Sequence, residues 1–271
     1  MITGATRVAG VIGDPVRHSL SPRLHNAAYR ALGLDWVFVA FEVPEGRAAG
    51  ALAGARTFGF VGLSVTMPHK ASVAELCDDL SPRSAALVSV NTVTLGPDGY
   101  ATGDSTDGAG FLRSLGDADV DVAGRSVVIL GAGGAARAVA WALADAGATV
   151  AVAARRASAA TAAAALARGA AIAWDDRADA VAGADIVVNA TSVGMAGDAS
   201  LPIPAEAMTS SQVIFDLVYE PRETPLLAAA RARGAQVVDG LGMLVHQAAL
   251  QVERWSGQVA PVAEMRAAVD A

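Results

Sequence analysis

Residues 127–143 read VVILGAGGAARAVAWAL, and this stretch decides the fold of the second half of the chain. An apolar run typical of a buried strand ends in six small residues, and a helix-forming segment follows at once. The pattern matches G-x-G-x-x-A: Gly131 permits the tight turn, Gly133 lets a ligand approach the backbone, and Ala136 permits close helix packing. The helix N-terminus adds amide donors and positive potential for phosphates. We therefore predict a Rossmann turn whose pyrophosphate-binding residues are Gly131, Ala132, Gly133, Gly134 and Ala135.

Strands and helices alternate on both sides of this turn, which predicts an α/β protein with mostly parallel sheets covered on both faces. In the second half the predicted strands are 126–132, 149–156, 171–174, 185–192, 212–219 and 235–240, with helices between them. In the first half we predict strands 7–14, 36–43 and 60–68, helices 21–34, 46–57 and 71–77, and a hairpin of 89–95 with 100–104. Ser21 is predicted to cap the first helix and Pro22 to be its first residue. A long amphipathic helix is predicted over 241–257.

The end of the second Rossmann strand indicates which dinucleotide is bound. NAD sites usually have Asp or Glu there for the ribose 2′-hydroxyl, whereas NADP sites have a cation for the 2′-phosphate. Here the strand ends in VAVAARRAS, with Arg155 and Arg156 where the acid would stand. A guanidinium can hold a phosphate through paired hydrogen bonds. The sequence therefore predicts NADP(H), and two solvated surface arginines are the alternative.

Composition excludes several classes of protein. A net charge of −7 argues against nucleic acid as a partner. The single cysteine, Cys77, allows no disulfide within the chain and is expected to be a small buried side chain in a reducing compartment. We see no signal peptide and no apolar run of the ~18 residues that a membrane span needs, and no cluster has metal-ligand spacing. We expect a cytoplasmic protein, a monomer or homodimer, with a small-molecule substrate.

Polar residues gather where the strands of the first half end, at 17–22, 65–70, 89–92 and 103–108, which is the usual ligand edge of an open α/β sheet. In VTMPHK (65–70), Pro68 is predicted to begin a helix and Lys70 to stand in its first turn. A helix N-terminus disfavours a cation, which suits Lys70 to general-acid work.

These segments together resemble the shikimate dehydrogenase family over nearly the whole chain. The resemblance is carried, in order, by VIGDPVRHSLSPRLHNAAY, VTMPHK, NT, GDSTDG, GAGGAARA, NATSVGM, FDLVY and GLGMLVHQAALQVERWSG. It implies NADPH-dependent reduction of 3-dehydroshikimate to shikimate in aromatic amino acid biosynthesis. It also implies a discontinuous substrate domain, 1–105 with 241–271, and a Rossmann NADP domain, 106–240.

The resemblance assigns roles to individual residues. It implies that Lys70 and Asp107 are the catalytic pair. The substrate-binding residues that it implies are Ser19, Ser21, Thr66, Asn91, Asp107, Tyr219 and Gln247. The cofactor-binding residues beyond the glycine turn are Arg155, Arg156, Val218, Gly240 and Met243. Two positions depart from the family, because Ala154-Arg155-Arg156 replaces the common Asn-Arg-Thr and Ser105 replaces an Asn.

Two other functions stay open. A relative that acts on quinate or an aminated shikimate, with NAD or NADP, is the nearer one. Ser21 argues against it, because quinate-preferring relatives often have Thr there, and so does the acid-free end of the second Rossmann strand. A non-catalytic NADP sensor is the other, and it would need neither Lys70 nor Asp107.

Overall fold

The computed structural model describes residues 2–270 and divides into two compact units. Unit 1 contains the described residues up to Thr106 together with those from Val245 onward, and unit 2 contains Asp107–Leu244. The chain therefore leaves unit 1 once and returns to it inside a helix, Gly240–Ser256.

Unit 2 is built on a six-stranded sheet in which every neighbouring pair is parallel. Its order is β12-β11-β10-β7-β8-β9, which is the 3-2-1-4-5-6 arrangement of a Rossmann fold counted from β7. The strands are β7 Ser126–Leu130, β8 Thr149–Ala154, β9 Ala170–Ala173, β10 Ile186–Asn189, β11 Val213–Asp216 and β12 Gln236–Val238. The helices are α5 Asp107–Asp117, α6 Gly134–Asp145, α7 Ala157–Leu166, α8 Arg177–Ala182 and α9 Pro225–Ala232, with 3-10 turns at Trp174–Asp176 and Ala205–Ala207.

Both faces of this sheet are buried, as its apolar strands require. Val127 and Ile129 of β7 belong to one core cluster, and Val128 and Leu130 belong to another. Because successive side chains of a strand point to opposite faces, each cluster lies on its own side of the sheet.

Unit 1 contains a mixed six-stranded sheet of order β2-β1-β3-β5-β6-β4. The β1–β2, β1–β3 and β4–β6 pairs are parallel, and β5 is antiparallel to β3 and β6. The strands are β1 Arg7–Gly13, β2 Trp36–Glu42, β3 Gly62–Val65, β4 Asp79–Leu80, β5 Thr92–Leu95 and β6 Ala101–Asp104. The helices are α1 Ser21–Ala31, α2 Ala48–Thr57, α3 Lys70–Leu76, α4 Pro82–Leu87, the returning α10 Gly240–Ser256 and α11 Val262–Asp270. The predicted fold class, α/β with a mostly parallel N-terminal sheet and a Rossmann unit, is confirmed.

Two local predictions about helix starts are wrong. Ser21 is the first residue of α1 instead of its cap; Leu20 holds the cap position, with no side-chain capping bond. Pro68 does not begin α3, which starts at Lys70 after His69. The sequence also gave no sign of the short β4 and α4.

Within residues 2–270, no helix combines the length and the apolar character needed to cross a bilayer.

Candidate active site

Strand ends in unit 1 bring polar side chains to one edge of its sheet. Thr66 follows the end of β3, and Asn91 precedes the antiparallel β5, so the two residues lie at the same end of this strand pair. The Val65 amide donates to the Asn91 carbonyl over 2.8 Å, which fixes this register. β6 runs antiparallel to β5 and its end leads to Thr106 at the same edge. We call Thr66, Asn91, Thr106 and Gln247 of α10 the polar edge.

Hydrogen bonds hold three members of the polar edge in fixed orientations. Asn91 Nδ2 donates to Thr106 Oγ1 over 2.9 Å and to Gln247 Oε1 over 3.4 Å. The Thr106 amide donates to Asn91 Oδ1 over 2.8 Å, and the Thr106 hydroxyl donates to the Gln247 carbonyl over 3.1 Å. Amide and hydroxyl groups fixed in this way are suited to binding the hydroxyl groups of a small ligand.

The buried side chain of Gln251 supports the polar edge through hydrogen bonds to Asn91 and its neighbours. Gln251 Nε2 donates to the Asn91 carbonyl over 3.1 Å and to Thr92 Oγ1 over 3.0 Å. Its Oε1 accepts from the Ser64 hydroxyl over 2.6 Å and lies 3.1 Å from His25 Nε2. A buried amide with every position used locks its neighbours, because breaking one bond leaves an unsatisfied polar group.

His25 continues this network to the start of α1. The ring is fully buried, stacks on Phe38 at 3.9 Å between centroids, and places Nδ1 2.9 Å from the Ser21 carbonyl oxygen. Burial lowers the pKa of His25 from 6.5 to about 4, although its hydrogen bonds to Ser21 and Gln251 act in the opposite direction.

The two predicted carboxylate-binding serines lie at the start of α1. The Ser21 amide donates to Ser19 Oγ over 3.2 Å, so the two residues form one local turn. Ser19 is half-buried and Ser21 is 7% exposed.

Lys70 is half-buried and is the first residue of α3, and its carbonyl accepts from the Val90 amide over 2.9 Å. It is also the only lysine in the chain. A single lysine in a chain of 271 residues draws attention to that position from the sequence alone. The neighbouring His69 is buried and its Nε2 donates to the Val43 carbonyl over 2.6 Å, which makes it a packing residue.

Asp107 is the first residue of α5 and the first residue of unit 2. Its side chain is 6% exposed, and a carboxylate in the first turn of a helix is favoured by the helix dipole. It directly follows Thr106 of the polar edge.

The glycine turn of unit 2 has the geometry that the sequence pattern requires. Gly131 has φ +110°, and a Cβ there would lie 2.7 Å from the Ala190 carbonyl oxygen. A Cβ on Gly133 would meet no protein atom within 4 Å. Gly133 precedes α6, and Ala136, a residue of that helix, is fully buried. The backbone at Gly133 is therefore accessible to a ligand, whereas the backbone at Gly131 packs closely against Ala190.

A cavity of about 640 Å³ opens beside this turn. Its walls come from the ends of β7, β8, β9 and β10, which are neighbours in the sheet. The lining residues are Gly131, Ala132, Gly133, Ala154, Arg155, Arg156, Ala159, Trp174, Ala190, Thr191, Ser192 and Val193. A phosphate-rich ligand fits this donor set, because two exposed arginines and a bare glycine backbone share one cavity.

Several residues of this cavity were missed by sequence reasoning, and others predicted for it lie outside its lining. Trp174, Thr191 and Ser192 line it without having been predicted. NATSVGM follows β10, and only the position of β10 beside β7 shows that this loop faces the turn. The predicted residues outside the lining are Gly134, Ala135, Val218, Gly240 and Met243.

Val218 and Tyr219 follow β11, and a buried carboxylate holds the backbone of Val218. Asp216 accepts from Asn189 Nδ2 at 2.9 Å, from the Val218 amide at 3.0 Å and from Thr224 Oγ1 at 2.7 Å. Burial outweighs these donors and raises the pKa of Asp216 to about 6. Burial also raises the pKa of the Tyr219 phenol, and Glu220 adds to the effect.

In residues 2–270, no cluster of His, Cys, Asp or Glu is arranged to hold a metal ion.

A Rossmann sheet, a glycine turn with two arginines beside it, and a second unit with a polar edge define a dinucleotide-binding α/β protein of the oxidoreductase class. Family models match in three places: a shikimate dehydrogenase substrate binding domain over residues 11–93, shikimate/quinate 5-dehydrogenase over 114–223, and a shikimate 5′-dehydrogenase C-terminal domain over 240–269.

Individual relatives are similar over almost their whole length. The shikimate dehydrogenase (NADP⁺) of Methanopyrus kandleri is 45% identical over 99% of this chain and 96% of its own. The Thermus thermophilus shikimate 5-dehydrogenase in complex with NADP(H) and shikimate has a TM-score of 0.89 and 36% identity, covering 97% of this chain and 98% of that one. The Corynebacterium glutamicum quinate dehydrogenase in complex with NAD has a TM-score of 0.91 and 33% identity, covering 97% and 98%. The chain belongs to the shikimate dehydrogenase family.

We predict that wild-type stability falls with acid through His25. The unfolded state takes up a proton near pH 6.5, whereas the folded ring resists protonation until about pH 4. The contribution of His25 is therefore complete above pH 6.5 and is lost as the pH falls toward 4, by up to about 3 kcal/mol. Urea unfolding across this range should show a steeper loss for wild type than for His25→Gln. The exposed His18→Gln is the control and should keep the wild-type slope; parallel curves for all three proteins would contradict the prediction.

We also predict opposite phenotypes for two glycines of the turn. Gly133→Ala should keep the melting temperature within about 2 °C, because its Cβ meets open space, yet weaken NADP⁺ binding at least roughly tenfold by filling the approach to the backbone. Gly131→Ala should lower the melting temperature, because its Cβ meets the Ala190 carbonyl and its φ is strained. Calorimetric melting and NADP⁺ titration test both. Unchanged NADP⁺ affinity in Gly133→Ala would show that the pyrophosphate does not approach there.

Proposed function

We propose that this protein is an NADP-dependent shikimate dehydrogenase that interconverts 3-dehydroshikimate and shikimate in aromatic amino acid biosynthesis. The observation that carries the proposal is the 45% identity, over nearly the whole of both chains, to a shikimate dehydrogenase that uses NADP⁺. We further propose that it acts in the cytoplasm, where its single cysteine fits a reducing environment, and that it is a monomer or homodimer. Residues 1–105 with 241–271 form the substrate domain and residues 106–240 form the NADP domain.

The substrate carries one carboxylate and several hydroxyl groups, and unit 1 offers matching donors and acceptors. The hydroxyls of Ser19 and Ser21 bind the carboxylate, with Tyr219 contributing from the stretch after β11. Thr66, Asn91 and Gln247 bind the ring hydroxyls. The bonds of Asn91 to Thr106 and Gln247 support this assignment, because they orient these side chains before the substrate arrives.

The cofactor site is assigned to the cavity of unit 2. The backbone from Gly131 to Ala135 would hold the pyrophosphate, and Arg155 and Arg156 would hold the 2′-phosphate. Val218, Gly240 and Met243, which lie outside the cavity lining, are assigned to the nicotinamide end. Bound NADPH supplies a hydride to the carbonyl carbon of the substrate.

Lys70 supplies the proton that this reduction requires. As hydride reaches the carbonyl carbon, the oxygen gains negative charge and takes a proton from the Lys70 ammonium, which leaves a neutral amine. Asp107 is assigned to the same reaction as the second catalytic residue, and its carboxylate accepts a hydrogen bond from a substrate hydroxyl. In the reverse direction the neutral amine takes the hydroxyl proton from shikimate.

Assays with shikimate and quinate, each with NADP⁺ and NAD⁺, test the proposal. Turnover should be highest with shikimate and NADP⁺. Activity confined to quinate with NAD⁺ would overturn the proposal in favour of the quinate reaction of the C. glutamicum relative.

Lys70→Ala should lower kcat by ~10² or more and leave shikimate affinity within about tenfold, because the lost interaction is a proton transfer. Lys70→Arg is the matched control for charge. It should be equally slow, because a guanidinium does not release its proton near neutral pH. Near-wild-type kcat in Lys70→Arg would reduce the role of Lys70 to electrostatics.

Because Lys70 is the only lysine, isotope-labelled lysine gives a single side-chain signal whose titration can be followed without any mutation. The midpoint of that titration should coincide with one limb of the pH–rate profile. If the midpoint of the lysine titration coincides with neither limb of the pH–rate profile, Lys70 is not the acid.

Arg155→Ala and the double variant with Arg156→Ala should raise the Kd for NADP⁺ by roughly 10- to 100-fold and change the Kd for NAD⁺ little, since the lost bonds go to the 2′-phosphate. Arg168→Ala, an exposed arginine outside the cavity lining, is the control. Equal losses for both cofactors would show that these arginines do not recognise the 2′-phosphate.

A further inference from the structure

The indole ring of Trp174 forms part of the wall of the dinucleotide cavity, in addition to the glycine turn and the paired arginines. We propose that Trp174 binds the adenine base of the dinucleotide by stacking against it. The inference rests on the proposed NADP dependence, and it adds the residue that recognises the base beside the residues that recognise the phosphates.

The sheet register places Trp174 next to the arginines. Ala154, the last residue of β8, pairs with Ala173, the last residue of β9. Arg155 and Trp174 are the next residues of the two strands, so they emerge at the same edge. An adenosine 2′-phosphate has its phosphate and its base on neighbouring atoms of one ribose, and adjacent strand ends match that separation.

Arg177 contacts the Trp174 ring and anchors its backbone. Its guanidinium carbon lies 4.4 Å from the centroid of the Trp174 ring, and it donates from Nη1 to the Trp174 carbonyl over 2.6 Å. Its Nε donates to the Pro202 carbonyl over 2.7 Å. Arg177 itself does not line the cavity, whereas Trp174 does. A ring held in this way loses little freedom when a base stacks on it.

Apart from the two arginines, which are assigned to the phosphate, Trp174 is the lining residue with a flat face on which a base can stack. Within residues 2–270, Trp174 is the only aromatic residue that lines it, and Ala159, Ala190 and Val193 are small. Trp174 is only half-buried, although part of it packs against one of the two cores of unit 2. A purely structural tryptophan has no need to expose ring surface beside a phosphate-binding turn.

The test uses 2′,5′-ADP, which contains the adenine end alone, and reduced nicotinamide mononucleotide, which lacks it. Trp174→Ala should raise the Kd for 2′,5′-ADP and NADP⁺ by about fivefold to a hundredfold, the range for loss of one base–aromatic stack. Trp174→Phe keeps an aromatic face and should stay within about threefold of wild type. Binding of the mononucleotide should be the same in all three proteins.

Tryptophan fluorescence supplies a second readout that a merely structural role would not change. The chain has four tryptophans, and 2′,5′-ADP should quench wild type and Trp141→Phe, a half-buried tryptophan of unit 2 outside the cavity lining. Quenching should disappear in Trp174→Phe. Unchanged affinity in Trp174→Ala, or quenching that persists in Trp174→Phe, would overturn the adenine contact and leave the NADP assignment intact. Failure of wild type to bind either adenine ligand would overturn the proposed function itself.

Discussion

The buried amide of Gln251 is the interaction on which unit 1 depends. The chain leaves this unit after Thr106 and returns only at Val245, so α10 has to bind a sheet made from residues far back in the sequence. Gln251 joins that helix to β3, β5 and α1 through Ser64, Thr92, the Asn91 carbonyl and His25. Trp255 adds an indole donor to the Val93 carbonyl at 3.1 Å, and Arg254 pairs with the buried Asp104. The same helix that closes the unit therefore also delivers Gln247 to the polar edge.

The two candidate sites, one in each unit, are built on different physical principles. Three members of the polar edge, Asn91, Thr106 and Gln247, already bond to one another, so their orientation is settled before a ligand binds. The dinucleotide cavity relies on the absence of side chains at Gly131 and Gly133 and on small residues around them. Substitution in the polar edge breaks a network that extends into the core, whereas substitution at Gly133 affects only ligand binding. Stability and binding are thus coupled in unit 1 and separable at that glycine in unit 2.

Much of the fold follows from sequence because alternation of apolar runs and helical segments is a local property. The strands, the glycine turn and α10 are long enough or distinctive enough to stand out, and the Gly131–Gly133 pattern also predicts a ligand. Short elements such as β4 have too few residues to show a hydrophobic period. The exact start of a helix, as at Ser21, depends on which residue first adopts helical dihedral angles. The role of His25 could not be read from its neighbours, because its partner Gln251 lies 226 residues away. Trp174 was missed for a related reason: strand order, which local pattern does not give, decides which loops line the cavity.

Of the 20 lysine and arginine residues, one is lysine, so 19 are arginines whose charge is permanent at any physiological pH. Arginines are also poor targets for the acyl thioesters and acyl phosphates of metabolism, which modify primary amines. Lys70 therefore carries the only side-chain amine of this protein at which such spontaneous acylation can occur. A modification that on most enzymes is spread over many surface lysines would here fall on the residue assigned to proton transfer, and each such event would silence one molecule.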